Sequence, residues 1–331
     1  MEIGKVPPET LNRIVLNPIN HFAVKRDDVF LRPKTGEDCS AVIFGEELCV
    51  LSADPITGAE QDMGYIAVHI NCNDIVSSGA EPIGILLTIL LPEGSSEKIL
   101  SDIMEGAYEA AKEIGIEILG GHTEVTAVVN KPVISAAVIG RTDKHNFIAT
   151  GGAKVGQDVI MTKWAGLEGT VILAKEYEAI LSDKIEQHLL EKAKSMRGFL
   201  SVIKESIIAK HMGATALHDV TEGGILGAVW EVAECSNTGI LIDLDKIPVK
   251  EETKAICQAG QISPYELISS GSMIITTFEG EKLVSMLKEK GIESAIIGKI
   301  TEKERQIIKD GHILPLNQPK SDALYAVQFE S

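Results

Sequence analysis

The chain has 331 residues, 44% of them hydrophobic and 24% charged, so it can bury sizeable cores and is long for a single domain. A formal net charge of −17 argues against a general binder of nucleic acid or anionic membrane, because phosphate needs a basic face. No uninterrupted apolar stretch reaches the roughly 18 residues needed to cross a bilayer, and Met1 to Pro8 lacks a signal-peptide core. The five cysteines, Cys39, Cys49, Cys72, Cys235 and Cys257, form no C-x-x-C pair or dense framework, so a reducing cytoplasmic location without zinc or disulfides is expected.

In chain order, Ala41 to Asp54 reads as a β-hairpin around Gly45-Glu46-Glu47, with Leu48 to Ala53 as its second strand and Asp54 at that strand's carboxyl end. Met63, Ile66, Ala67 and Ile70 recur at helical spacing before Gly79, and the stripe continues onto Asn73 or Asp74, a polar pair where the pattern predicts core. Gly84 to Leu91 is a strand, and Ser96 caps a helix whose apolar positions from Ile99 to Ile114 keep a helical period until Gly115. Ile116 to Leu119 is a short strand, Gly120-Gly121 a turn, and Pro132 to Ile139 another strand.

The glycine-bearing polar stretch Arg141 to Gly156 then sets a boundary near residue 150, dividing the chain into domains 1–150 and 151–331. The second unit opens with strand Asp158 to Thr162. It continues with a long polar helical region from about Ser182 to Lys210, strand Ala214 to His218 and a helix from about Gly224 to Ala233. Ile240 to Leu244 and Met273 to Thr277 are β, Glu279 to Lys290 is an amphipathic helix, and Ser294 to Ile300 is a strand. The fold class is α+β: a first domain with a mixed sheet and helices on one face, then an α/β domain.

Acidic and amide residues recur where these elements meet. Asp38, Asp54, Asp74 and Glu124, with Asn73 and Glu37 nearby, supply the hard oxygen ligands that Mg²⁺ shares with phosphates. Singly, each suits a turn or cap; at four successive boundaries, a divalent metal carrying a polyphosphate explains them better. His122 follows the Gly120-Gly121 pair, where backbone can approach a ligand, although a lone histidine is more often a hydrogen-bonded structural residue than a metal ligand or base. His218-Asp219 leads from a strand through Gly223-Gly224 into a helix whose first N–H groups are placed to hold an anion, or make a simple packing turn. Thr150-Gly151-Gly152 is a further glycine loop, and no Walker or dinucleotide fingerprint is present.

The ordered set of motifs resembles the aminoimidazole ribonucleotide (AIR) synthase-related superfamily. Gly36-Glu37-Asp38-Cys39-Ser40-Ala41-Val42 is similar to its G-D-D-A-A-V segment, Ser52-Ala53-Asp54 to T-T-D, and Asn73-Asp74 through Pro82 to its N-D helix end. Gly120-Gly121-His122-Thr123-Glu124 is similar to its G-G-D/E-T segment, Ala153 to Asp158 to its A-K-x-G-D opening, and Asp219 to Gly224 to D-x-T-x-G-G. Over residues 30 to 300 the hydrogenase-maturation HypE branch resembles the chain most, ahead of AIR synthase, selenophosphate synthetase and thiamine-monophosphate kinase.

The resemblance implies a homodimer that pairs its amino-terminal sheets, with ATP and Mg²⁺ near that pairing. It implies Asp38, Asp54 and Asp74 as metal or phosphate ligands with Asn73 beside them, and Glu124 as a further metal ligand. Phosphoryl transfer to an oxygen of a small amide or acid follows, with a carboxamide-bearing substrate or another maturation protein as partner. His122, His218 and Asp219 are the candidates for proton transfer, and the backbone at Gly151-Gly152 and Gly223-Gly224 for steadying the acceptor. The sequence departs from HypE at its end, Ala326 to Ser331, which lacks that branch's terminal cysteine segment. A nucleotide-binding maturation or regulatory partner that does not turn over is therefore the alternative.

Overall fold

A computed structural model describes residues 3–22, 24–318 and 321–329; Met1 and Glu2 of the leader stretch and Glu330 and Ser331 of the tail lie outside the described residues. Helices α1 (Pro8–Leu11) and α2 (Asn17–Phe22) precede a six-stranded sheet of β1 (Val29–Leu31), β2 (Ser40–Phe44), β3 (Glu47–Ile56), β4 (Glu81–Pro92), β5 (Glu117–Thr126) and β6 (Val133–Asp143). The strand order is β1-β2-β3-β6-β4-β5. Only the β4–β5 pair is parallel, because a helical crossover joins these two strands.

Helices α3 (Met63–Ser77) and α4 (Glu97–Ile114) cover one face of this sheet. They cross so closely that a Cβ on Gly64 would lie 1.8 Å from the Ile103 carbonyl oxygen, which only glycine avoids. Every residue of α3 is buried, including His69, Asn71, Asn73 and Asp74, so each of these polar groups needs an internal partner. The helix sits between the first sheet and the second domain, which accounts for its weak amphipathicity.

The second domain carries a seven-stranded sheet. Its strands are β7 (Asp158–Thr162), β8 (Ala216–Asp219), β9 (Gly239–Asp243), β10 (Met273–Thr277), β11 (Ser294–Thr301), β12 (Arg305–Lys309) and β13 (His312–Pro315). Their order is β13-β12-β9-β11-β7-β10-β8. Helices α5 (Leu167–Glu176), α6 (Glu178–Leu181), α7 (Gln187–Ser195), α8 (Ile203–His211), α9 (Gly224–Ser236), α10 (Glu251–Ala259) and α11 (Gly280–Glu289) complete it. The domains are joined through α3: Asn73 Nδ2 donates to Leu200 O at 2.8 Å, Val202 N–H donates to Asn73 Oδ1 at 3.0 Å, and Lys210 Nζ donates to Gly79 O at 2.7 Å.

Several expectations need correction. Strand β3 runs on to Ile56, so Asp54 lies inside the strand, paired with Ala136, rather than at its end. Gly120-Gly121 is no turn. Strand β5 continues through both, at φ +137° and +143°, because pairing with β4 extends to Thr126 and a Cβ on Gly121 would lie 1.8 Å from Leu87 O. Helix α5 begins inside Trp164 to Thr170, a glycine-bearing segment whose residue types suggest a loop, and the long polar region divides into α7 and α8 around the 3₁₀ turn Met196–Phe199. Helix α10 and strands β12 and β13 were not anticipated. No helix among the described residues is long and apolar enough to cross a membrane.

Buried His69 offers a test of α3 packing. Burial, opposed by Glu113, lowers its pKa from the ordinary 6.5 to about 4. Below pH 6.5 the unfolded chain then takes up a proton that the folded chain refuses until pH approaches 4, so stability is present above 6.5 and declines as the pH falls between these values. Thermal unfolding of His69→Gln across this range should show a flatter acid limb than the parent; parallel curves would refute the assignment.

Candidate active site at the domain junction

Four carboxylates from separate elements converge where the domains meet. Asp38 comes from the loop before β2, Asp54 from β3, Asp74 from α3 and Asp219 from the end of β8. Ligand atoms of Asp38, His218 and Asp219 all lie within 4.8 Å of one another. Asp74 accepts a short hydrogen bond from Ser52 Oγ, and its backbone oxygen accepts from Cys39 Sγ at 3.1 Å. Asp54 is positioned through its own N–H, which donates to Asn71 Oδ1 at 2.9 Å, while Asn71 anchors to Ala67 O one turn back along α3. A strand residue is thereby tied to the buried helix.

Counter-charge is scarce. His218 places Nδ1 2.8 Å from Asp38 Oδ2 and Nε2 3.0 Å from Glu231 Oε2. Both ring nitrogens face carboxylates, so both donate only in the imidazolium form. Burial pushes the His218 pKa down, but Asp38 and Glu231 outweigh it and raise it well above the usual histidine range. Against its own burial, Glu231 is held at about 2 by Lys5 and His218. Lys5 reaches Glu231 at 3.6 Å and donates to Thr221 Oγ1 at 3.3 Å.

The remaining carboxyls are pushed the other way. Burial first, then Asp219, Asp54 and Asp38, raises Asp74 well above the carboxylate range. Burial and Asp38 raise Asp219 to about 8 although His218 opposes the shift. Asp54 feels the same upward push from burial and Asp38, countered by Lys5, but the residue is open to solvent, so water screens much of it. Without a cation the cluster must retain protons.

A divalent ion fits these donors. Asp219 Oδ2 is buried and has no hydrogen-bond partner among the described residues, and the cluster offers hard oxygen ligands in excess of its positive charge. With both nitrogens engaged, His218 is a charge partner to this centre rather than a ligand. Beside Asp54 lies a cavity of about 370 Å³, walled by the segment around Lys5, by α5, by Thr221-Glu222, by Ile268 to Ser270, and by Asp322 to Tyr325.

Other anticipated residues lie elsewhere or are occupied. Asn73 spends its amide on the Leu200 and Val202 backbone, which makes it a domain fastener. Gly120, Gly121, His122 and Glu124 lie on edge strand β5, three positions from β3 in the sheet, or roughly 14 Å at the usual strand spacing. There His122 Nε2 pairs with Glu124 Oε2 at 3.0 Å, both exposed.

Gly223 N–H donates to Asp322 Oδ2 at 2.6 Å and Gly224 N–H to Thr221 O at 3.1 Å, so the expected anion site at the start of α9 is filled by the chain's own carboxylate. A Cβ on Gly151 would meet Cys235 O at 2.6 Å and one on Gly152 would meet Thr215 O at 1.8 Å. These two are glycines because of close packing. Their neighbour Thr150 reaches the site instead, through Asp38 Oδ2 at 3.4 Å and Glu37 Oε1 at 3.2 Å. Sequence reasoning missed Lys5, Glu231, Glu168 and Asp322, none of which stands in a motif.

Both domains have known counterparts. Residues 36–142 match the N-terminal domain and residues 154–311 the C-terminal domain of AIR synthase related protein. The chain belongs to the AIR synthase-related family. It is 26% identical over 314 residues to a Methanocaldococcus jannaschii protein named for hydrogenase expression/formation, covering 92% of this chain and 90% of that one. It is 24% identical over 251 residues to the carbamoyl dehydratase HypE of Rhodobacter capsulatus, covering 74% and 72%.

Among solved structures, HypE in a HypE–HypF complex superimposes with TM-score 0.71 at 22% identity, covering 84% of this chain and 93% of that one. HypE in complex with ATP superimposes with TM-score 0.67 at 18% identity, covering 97% of each. Both are likenesses of fold.

Crowded like charge predicts a stability gain on neutralisation. Asp74→Asn should raise the thermal midpoint by a few degrees in metal-free buffer at pH 7, because the folded chain no longer has to hold a proton there. The same change should shrink the further rise that Mg²⁺ gives the parent. A lower midpoint together with an undiminished Mg²⁺ response would exclude Asp74 from a cation centre.

Proposed function

We propose that this chain is an ATP-dependent enzyme that activates an oxygen of a small amide or acid by phosphoryl transfer, in a cytoplasm whose reducing conditions suit its five free cysteines. The observation that carries this reading is the buried oxygen of Asp219, without a hydrogen-bond partner among the described residues, beside Asp38 and near the charges of Asp54 and Asp74, with a cavity of substrate size next to Asp54. ATP with Mg²⁺ supplies an electrophilic phosphoryl group whose charge the metal neutralises. Asp38, Asp54, Asp74 and Asp219 would hold the metal. His218, fixed between Asp38 and Glu231, is held as an imidazolium that offsets the charge of the cluster rather than relaying a proton, and Lys5 brings positive charge to the cavity wall. The named activity of the HypE relatives, carbamoyl dehydration, is one form of this chemistry.

A nucleotide-binding maturation or regulatory role without turnover is the second reading. Asp322 favours it, since its carboxylate already occupies Gly223 N–H at the start of α9. Titration calorimetry of ATP with and without Mg²⁺, on the parent and Asp54→Asn, tests the main reading. Mg²⁺-dependent binding lost by at least tenfold in the variant, with ADP appearing in the same sample, is the expected result. Binding without ADP release would select the second reading, and no binding would remove both.

The reading includes a homodimer built on the first sheet. Leu51, Leu86 and Leu119 on β3, β4 and β5 are exposed, a set of apolar side chains that a second sheet would bury. Such pairing places the Gly120 to Glu124 run at the dimer interface rather than in its own chain's acidic cluster. Leu86→Lys should convert a dimer to a monomer in light scattering; a parent that is monomeric at micromolar concentration disposes of this part.

A further inference from the structure

The segment before α1 crosses the cavity beside Asp54 without being packed into it. Ile3, Gly4 and Lys5 line the cavity, yet residues 3–7 are all exposed, apolar Ile3 at 72% and Val6 at 41% included. A strap that buries no apolar side chain gains little from the hydrophobic effect, so polar contacts hold it. Lys5 N–H donates to Glu222 Oε1 at 3.2 Å and Lys5 Nζ to Thr221 Oγ1 at 3.3 Å, while Ser321 Oγ donates to Ile3 O at 3.0 Å.

Lys5 also ends a row of alternating charge that leads into the acidic cluster. Its ammonium lies 3.6 Å from Glu231 Oε1; Glu231 Oε2 meets one nitrogen of His218, and the other nitrogen of that ring meets Asp38. Lys5 offsets the charge of Asp54 as well. Glu231 and His218 are fixed on α9 and β8, whereas the Lys5 side chain is half exposed near a chain end. Lys5 is the member of the row that can leave, because moving an already solvated ammonium into water costs little.

We infer that residues 3–7 form a charge-operated lid: Lys5 and a divalent ion compete to neutralise the acidic cluster, so binding of the ion loosens the strap and opens the cavity. Two cations that serve one set of carboxylates repel each other. The coupling is reciprocal, so the ion weakens the hold of the strap by the same factor by which the strap weakens binding of the ion. The lid rests on the reading of Asp38, Asp54, Asp74 and Asp219 as a cation centre. To that reading it adds an order of binding, the ion first and the occupant of the cavity second.

Timed trypsin digestion of the intact chain, read by mass spectrometry, measures strap release, because the Lys5–Val6 bond enters the protease only when Lys5 leaves Glu231. Millimolar Mg²⁺ without nucleotide should speed that cut about fivefold, while the cut at exposed Lys303 keeps its rate. In calorimetric titration with magnesium chloride alone, Lys5→Met should bind Mg²⁺ about fivefold more tightly than the parent, and Lys5→Arg, which keeps the charge, should bind it as the parent does. Lys5 is exposed, so both variants should fold.

A Lys5–Val6 cut that Mg²⁺ slows or leaves unchanged, or equal Mg²⁺ affinity in the parent and Lys5→Met, would overturn the lid. The cation centre fails separately. Mg²⁺ binding that Asp74→Asn weakens and Lys5→Met leaves unchanged removes the lid alone, whereas no Mg²⁺ binding to the parent, with or without ATP, removes the centre and the lid together.

Discussion

Repulsion among carboxylates at the domain junction is the constraint around which the molecule is arranged. Asp38, Asp54, Asp74 and Asp219 face one another across elements that come from both halves of the chain, and His218 and Lys5 are the cations that meet them. Buried like charge is tolerated when protons or a bound cation neutralise it. The raised pKa of Asp74 and of Asp219 reports the first solution. The unbonded oxygen of Asp219 makes room for the second.

Holding such a cluster together requires a rigid frame, and α3 supplies it. The helix is buried along its whole length, so its polar residues act as internal fasteners. Asn71 ties β3 to the helix, Asn73 ties the helix to the turn before α8, and Asp74 projects into the site between them. Three positions within one helical turn therefore serve three directions. Gly64, against α4, lets the two helices of this layer approach closely.

The two chain ends complete the site from outside both sheets. Gly4 and Lys5 lie over Glu222 and Thr221, Ser321 Oγ donates to Ile3 O at 3.0 Å, and Asp322 caps Gly223, Ile268 and Leu324 through their N–H groups. The cavity between β3, α3 and α5 is thus closed in part by segments that belong to neither regular layer. This also explains why Asp322 takes the donor at the start of α9: an acidic side chain beside bare N–H groups gains hydrogen bonds and a favourable dipole.

Local chemistry was largely legible in the residues themselves. The helical stripe from Met63, the Gly115 stop and the strong β run at Met273 all follow from periodicity and side-chain character, which act over a few residues, whereas acids expected at element boundaries lie within elements, Asp54 in β3, Asp74 in α3 and Glu124 in β5. The polar pair Asn73-Asp74 on an apolar stripe announced an internal task. What tertiary structure alone decided was which of these groups meet. Adjacent Asn73 and Asp74 point to different partners, Glu124 stands on an edge strand away from the other acids, and Gly223 bonds to a residue 99 positions later. Glu168, Glu231 and Lys5 carry no local signal, because their roles come from burial and from charges brought near by the closure of two sheets. Sequence determines the groups available for charge and hydrogen bonding; electrostatics acts through space, and only the packed fold sets those distances.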